Sequence, residues 1–159
     1  MSQPRTMKRF GMAAAVLSAA GLAGSAAAQP GEVHYIPAAK LAAMTAKIEN
    51  GLASVAVPTG SNAVVLIEAR DKDGEPEIHD KIGHEIIARR GAASILVGGK
   101  VEGDHLKVPN EHRGGKIVGG AVYKLAPGDV IWVPAGTPHQ MLIPKGKRFT
   151  YMTVKYPGP

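Results

Sequence analysis

From residue 54 onward the chain consists of short apolar runs separated by clusters of Gly, Pro, Asn and Asp. Runs of this length, bounded by turn residues, are typical of β-strands, and their repetition in one stretch favours an all-β domain. We predict strands at residues 54–57, 63–69, 76–80, 84–89, 92–97, 121–125, 129–133, 140–144 and 148–156. Eight or nine short antiparallel strands predict a double-sheet jelly roll, a small barrel whose interior can hold a ligand.

Two segments of the predicted domain do not read as strands. Residues 37 or 38 to 49 form a predicted short helix, because Leu41, Met44 and Ile48 fall on one face and Asn50-Gly51 supplies a stop. The longest interruption between strands, residues 99–120, is rich in glycine and is predicted to be a loop over one end of the barrel.

The first 28 residues have the pattern of a secretory signal peptide. Lys8 and Arg9 precede a mostly apolar run at 10–23, and the three alanines at 26–28 supply a small-residue cleavage site. The run is too short and too rich in Ala and Gly for a membrane span, which needs about 20 apolar residues. No Cys near the cleavage site could carry a lipid anchor. We therefore expect an exported protein that starts near Gln29, has no membrane anchor after processing, and is periplasmic if the source is a Gram-negative bacterium.

Composition narrows the function classes of the mature chain. The signal removes Arg5, Lys8 and Arg9 and no acidic residue, so 19 basic against 13 acidic residues become 16 against 13, and the formal charge falls from +6 to +3. So mild a charge does not point to nucleic acid, which requires a strong basic stripe. The chain has no Cys, which excludes a disulfide framework, a thiolate metal site and a thiol nucleophile. The predicted organisation is a signal peptide at 1–28, an N-terminal arm with the short helix at 29–53, and a barrel domain at 54–159.

Residues 128–140 read as a buried strand, a tight Pro/Gly turn and a histidine that begins the next strand. Gly136 permits a backbone geometry that a side chain would forbid, and Pro134 and Pro138 stiffen the turn. The direction of His139 is therefore fixed before a ligand arrives, as a metal ligand or a catalytic base requires.

The spacing of Gly128, Pro134, Gly136 and His139 resembles the second signature motif of the cupin family. The family motif usually ends with Asn four residues after the His, where this chain has Ile143. The resemblance extends over residues 64–154, and it implies a double-stranded β-helix barrel, often paired as a homodimer. It implies no particular reaction, because the family includes enzymes, sugar-binding modules and storage proteins.

Residues 77–91 resemble the first cupin motif, in which a His-x-His pair and a later Glu point into the barrel and hold one divalent metal with the His of the second motif. His79 occupies the first His position, but Lys81 stands in the second, and a protonated ammonium cannot ligate a metal. The third position fits Glu85 when it is counted from Lys81, and His84 when it is counted from Gly91. Strand alternation favours His84, because residues 84, 86 and 88 then form the less polar face, whereas a bulge would select Glu85.

This resemblance implies a metal site made by His79, His139 and either His84 or Glu85. Neutral imidazoles with open coordination positions suit iron, zinc, nickel or manganese. The first hypothesis is a metal-dependent enzyme, of the dioxygenase, isomerase or lyase type, acting on a small organic acid or carbonyl compound. The alternative is a metal-free periplasmic binding or sensing module, in which the same histidines and Lys81 contact an anionic small molecule.

Three further residues are candidates for ligand binding. Glu111 and Arg113, in the glycine-rich segment, could clamp a ligand that carries a carboxylate, because Arg forms bidentate pairs with carboxylates. A solvated ion pair is the competing interpretation of these two residues. In the last predicted strand, alternation directs either Tyr151 or Met152 towards the cavity, and we name Tyr151 as the candidate.

Overall fold

The computed structural model describes residues 33–59 and 63–158, so the predicted signal peptide lies outside the described residues. One helix and thirteen strands are found in this part of the chain. In chain order they are α1 Ala38–Met44, β1 Leu52–Val57, β2 Val64–Arg70, β3 Glu77–His79, β4 Ile82–Arg90, β5 Ala93–Val97, β6 Lys100–Glu102, β7 His105–Val108, β8 Glu111–Arg113, β9 Lys116–Val118, β10 Ala121–Leu125, β11 Val130–Val133, β12 His139–Leu142 and β13 Phe149–Pro157.

The strands form two large antiparallel sheets and one small one. The five-stranded sheet has the order β1-β2-β13-β4-β11, and the six-stranded sheet has the order β10-β5-β12-β3-β8-β7. Strands β6 and β9 pair separately. Apart from β1-β2 and β7-β8, neighbours within the two large sheets are not consecutive in sequence, as in a jelly roll. Each of the nine predicted strands overlaps an observed strand. The prediction of an all-β jelly roll with one short N-terminal helix is confirmed.

The core lies between the two large sheets, and in β4 and β13 it is built by alternate residues. In β4, residues 84, 86 and 88 are buried, and in β13, residues 149, 151 and 153 are buried. The buried apolar cluster contains members of both sheets: Ile86, Ala88, Ala93, Ile95, Leu125, Val133, Met141, Ile143, Phe149 and Tyr151. Because β13 lies between β2 and β4, its inward residues face the middle of the barrel.

The helix is shorter than the sequence predicts, since it ends at Met44 rather than at residue 49. Thr45 leaves helical geometry, and the guanidinium of Arg148 donates to the carbonyl oxygens of Thr45 and Ala46. These carbonyls therefore have a partner outside the helix, and the chain turns towards β1. In the described part of the chain, no helix has the length and apolar character needed to cross a membrane.

The prediction of a loop at residues 99–120 is wrong. This segment contains the four short strands β6 to β9, and β8 joins the six-stranded sheet between β3 and β7. The glycines predicted to break the chain instead make tight reversals, because Gly99, Gly115 and Gly120 have positive φ and pack against neighbouring backbone, where a Cβ would overlap it. Glu111 and Arg113 are consequently strand residues and not loop residues.

Candidate metal centre

Three histidines from three strands meet inside the barrel. His79 ends β3, His84 lies in β4 and His139 begins β12, and each is only 3% exposed. The ring centroids of His84 and His139 are 4.6 Å apart, and that of His79 lies 5.4 and 5.6 Å from them. One nitrogen from each ring can be chosen so that all three lie within 4.8 Å of one another. This spacing allows the three rings to surround one ion.

The turn before His139 holds the cluster together. Gly136 has a φ of 73°, and its backbone N–H donates to the carbonyl of His79 at 2.8 Å. The carbonyl of Pro138 accepts from the N–H of Gly98 at 2.8 Å. The turn is thus bonded to β3 on one side and to the end of β5 on the other, which fixes His139 relative to His79.

The structure places His84, and not Glu85, in the cluster. The pairing of β4 with β13 is regular from Tyr151 onward, and its one register shift lies between Thr150 and Tyr151, away from His84. Glu85 is half-buried on the opposite face of β4, where it is the cross-strand partner of Trp132. No bulge therefore brings the carboxylate inward.

The imidazoles of His84 and His139 are held neutral. Burial, with the nearby His139 and Lys155, lowers the pKa of His84 to about 2. Burial also lowers the pKa of His139, although Glu77 and the Thr137 carbonyl act in the opposite direction. Neutral rings keep a lone pair that can bind a cation.

Several of these ring nitrogens have no partner. His139 Nδ1 lies 2.9 Å from the carbonyl of Thr137, so it carries the proton and leaves the lone pair on Nε2. That Nε2 and both nitrogens of His84 are buried without a hydrogen-bond partner among the described residues. A divalent ion such as zinc or iron accepts this donor set, since imidazole nitrogens are its preferred protein ligands. The residues present therefore fit the metal that the sequence resemblance implies.

His79 has polar neighbours that the sequence analysis did not identify. Its Nε2 lies 3.3 Å from a carboxylate oxygen of Glu77 and 3.3 Å from the Lys155 ammonium, and its Nδ1 lies 3.3 Å from Glu111 Oε2. Burial would favour the neutral acid, but His79 and the positive charge of Arg113 hold the pKa of Glu77 well below its ordinary range. Glu77 is therefore ionised, and it holds one side of the His79 ring while Glu111 holds the other.

The predicted ligand-binding residues are dispersed. Arg113 pairs with Glu77 at 2.5 Å and with Glu111 at 2.7 Å, so this guanidinium is engaged by the protein's own carboxylates. Lys81 is exposed in the turn between β3 and β4, outside the cavity. Tyr151 is buried and lines the cavity, whereas Met152 points away from it.

The cavity in front of the histidines has a volume of about 170 Å³. Its walls combine apolar and polar side chains from both sheets. The lining residues are Leu52, Ser54, Leu66, Glu68, Arg70, Glu77, His84, Ile86, Ile95, Arg113, His139, Met141, Tyr151, Thr153 and Lys155. A larger hollow of about 480 Å³ lies on the outside, against α1, and none of the three histidines lines it. This cavity is therefore the place where a small molecule could meet His84 and His139.

Comparison with known proteins places this site in a familiar fold. Residues 117–159 match the family described as AraC-like ligand binding domain. Among solved structures, an uncharacterized conserved protein with a double-stranded β-helix domain from Klebsiella pneumoniae aligns with a TM-score of 0.57 and 15% identity, over 80% of this chain and 92% of that one. KdgF from a Halomonas species aligns with a TM-score of 0.52 and 16% identity, over 71% of this chain and 84% of that one.

A cupin domain is also among the similar structures. The cupin domain of Cnp3 from Schizosaccharomyces pombe has a TM-score of 0.50 and 6% identity, over 67% of this chain and 61% of that one. The chain spans about half, 47%, of the DMSP lyase DddQ from Ruegeria pomeroyi, to which it is 15% identical with a TM-score of 0.48. No curated protein matches the sequence. The chain therefore has the cupin fold, a double-stranded β-helix, as the resemblance of its two histidine segments predicts.

Proposed function

We propose that this cupin is an exported enzyme that holds one divalent metal between His79, His84 and His139 and acts on a small organic acid or carbonyl compound. One observation supports the proposal above all others: three buried imidazoles converge, and three of their nitrogens have no hydrogen-bond partner among residues 33–59 and 63–158. A buried polar atom without a hydrogen bond costs about 1–3 kcal/mol. A fold that only needed to fill this space would be more stable with apolar side chains there.

The chemistry that such a metal supplies when bound is Lewis-acid polarisation of a carbonyl oxygen, or activation of water or oxygen at an open position. The chain's own residues define the rest of the site. Glu77 and Glu111 hold the two sides of the His79 ring, and the Thr137 carbonyl fixes the tautomer of His139. The apolar half of the cavity, which includes Ile86 and Ile95, limits the access of water. The metal, among iron, zinc, nickel and manganese, is part of the proposal.

Export to the periplasm and assembly as a homodimer belong to the same proposal. Export rests on the basic start, apolar run and small-residue site of residues 1–28. The homodimer rests on the family resemblance alone. Cleavage near Gln29 would be seen as a mass corresponding to residues 29–159 in secreted material, and size-exclusion chromatography with light scattering would give the oligomer.

A metal-free binding module is the second candidate, and one contact favours it. The Lys155 ammonium lies 3.3 Å from His79 Nε2, where it repels a cation held by the same ring. The match of residues 117–159 to an AraC-like ligand binding domain supports small-molecule binding without chemistry. In this alternative, Lys155 and the histidines would contact an anionic ligand directly.

Metal content decides between the two candidates. The mature protein, purified without a His tag, is compared by elemental analysis with the His139→Ala variant and with His112→Ala as the matched control. His112 is a partly exposed histidine that bonds Asp104, outside the cluster. The enzyme proposal predicts close to one metal per chain in wild type and in His112→Ala, and little in His139→Ala. An absence of metal from wild type, even after reconstitution with each of the four ions, would leave the binding module as the better account.

A further inference from the structure

Arg70, the last residue of β2, lines the cavity, and the neighbouring backbone holds its side chain in place. Its guanidinium packs over Gly74, where a Cβ would come within 3.2 Å of the central carbon. Gly74 is bonded on both sides to β12, because its N–H donates to the carbonyl of Met141 at 2.8 Å and its carbonyl accepts from Gln140 at 2.8 Å. The guanidinium therefore rests against a fixed piece of backbone, and its direction is set by the fold.

The two arginines that line the cavity differ in how their charge is matched. Arg113 forms ion pairs with both Glu77 and Glu111. Arg70 donates only from Nε, at 2.9 Å, to the hydroxyl of Tyr151, which is a neutral group. In the described part of the chain no carboxylate forms an ion pair with Arg70 and no acceptor bonds its two terminal nitrogens, although the charges of Glu77 and Glu68 are near enough to raise its pKa. A partly buried guanidinium whose two terminal nitrogens (the fork) are free can bind an external anion through both of them.

Tyr151 completes the donor set. Tyr151 is 4% exposed, and its hydroxyl oxygen accepts a hydrogen bond from Arg70. Among the described residues, its hydroxyl proton is donated to no acceptor. Burial and the nearby Glu68 carboxylate raise the pKa of Tyr151, so the phenol keeps that proton. Glu68 is itself satisfied by the Thr153 hydroxyl at 2.5 Å. The free donors at this wall are thus the guanidinium fork and one O–H.

We infer that Arg70 and Tyr151 form a carboxylate-binding subsite in the cavity, and that the ligand is a small acid whose second oxygen reaches His84 and His139, the two histidines that line the cavity. This inference rests on the proposed function only in taking the cavity as the ligand site, and it narrows the ligand from acids or carbonyl compounds to acids. A volume of about 170 Å³ holds roughly six non-hydrogen atoms, given about 30 Å³ for a water molecule in the liquid. A three-carbon 2-oxo acid has this size and carries both groups.

The test measures binding to the mature protein by calorimetry, with and without reconstituted Zn²⁺. The probes are pyruvate and malonate, and their uncharged counterparts pyruvamide and malonamide. Arg70→Gln removes the fork, and Arg89→Gln, an exposed arginine of β4 on the outside of the barrel, is the matched control. Removing one partner of a buried charged hydrogen bond costs about 2 kcal/mol or more, which corresponds to about 30-fold in Kd.

We expect at least one acid to bind wild type and Arg89→Gln equally, and to bind Arg70→Gln about 30-fold more weakly, with the amides weak throughout. Equal binding of acids and amides, equal binding to wild type and Arg70→Gln, or no binding of any acid would overturn the inference. If Arg70→Gln does not fold, Tyr151→Phe replaces it, with an expected loss of about fivefold for one neutral hydrogen bond. The acid preference is measured on metal-free protein, so a protein that prefers acids but never takes up metal would refute the enzyme proposal alone.

Discussion

Replacing His84 by leucine separates two effects of the buried ring, the loss of folding stability and the binding of a metal. The His84 ring is 3% exposed and neither of its nitrogens has a hydrogen-bond partner among the described residues. Leucine has a similar volume, needs no hydrogen bond and suits the buried face of β4 that Ile86 and Ala88 also form. We therefore expect His84→Leu to stabilise the metal-free protein and to weaken metal binding.

The size of this effect follows from the two unpartnered nitrogens. Each uncompensated buried polar atom costs about 1–3 kcal/mol. A volume-conserving swap in a packed core costs up to about 1.5 kcal/mol in imperfect fit. Two such atoms cost about 2–6 kcal/mol, so the net expectation is a gain of about 0.5–6 kcal/mol in the free energy of unfolding. For a domain of this size, each kcal/mol raises Tm by roughly 3–5 °C.

Thermal and urea unfolding, each with and without Zn²⁺, measure the effect. Wild type should gain about 2.7 kcal/mol when Zn²⁺ is present at a hundred times its Kd. The variant should gain much less, so its stability advantage over wild type should shrink by up to about 2.7 kcal/mol when Zn²⁺ is added. His112→Leu is the control, and it should lose stability because His112 Nδ1 bonds Asp104 at 2.8 Å. A metal-free His84→Leu protein that is less stable than wild type would refute the reasoning, because the ring would then have a partner such as a buried water.

Two further predictions concern pH and backbone geometry. His84 has its ordinary pKa of 6.5 in the unfolded chain and a pKa of about 2 in the folded chain. Between these two pH values the unfolded state therefore binds more protons. The metal-free protein should therefore lose up to about 1.4 kcal/mol per pH unit below 6.5, and urea titrations of His84→Leu should lack this part of the slope. Gly91→Ala should cost at least about 2 kcal/mol, because Gly91 has a φ of 79° and a Cβ there would overlap the carbonyl of Arg148. At Gly136, which has a φ of 73°, a Cβ would meet open space, so Gly136→Ala should lower the free energy of unfolding by only about 1 kcal/mol in the same urea titrations. Equal losses in Gly91→Ala and Gly136→Ala would refute the packing argument.

Most strands of the two large sheets were predictable because they are short apolar runs bounded by turn residues. In β4 the alternation of residues 84, 86 and 88 was enough to direct His84 rather than Glu85 inward. Strands β6, β8 and β9 have three residues each, which is too short to show a period of two. Their glycines were therefore interpreted as breaks, although they make the tight reversals that join these strands.

The charged residues of the cavity were harder to predict, because a charged side chain in a strand is ordinarily assigned to the solvent face. A usable signal was nevertheless present. In β13, residues 149, 151 and 153 are inward, and the same alternation continues to Lys155. In β2, Glu68 and Arg70 share one face with Leu66. These faces meet β3 and its Glu77 across the barrel. Their meeting depends on the order of strands in two sheets, and the local sequence pattern does not contain that order.

X-ray absorption at the metal edge of the reconstituted mature protein tests the central claim most directly. Three imidazole ligands predict scattering from three nitrogens at about 2.0–2.1 Å for zinc, with the multiple scattering that imidazole rings produce. His84→Leu should lower the fitted number of imidazoles from three to two, whereas Glu85→Gln should leave it at three. A first shell of oxygen atoms alone, or an imidazole number that His84→Leu does not change, would contradict the three-histidine metal site.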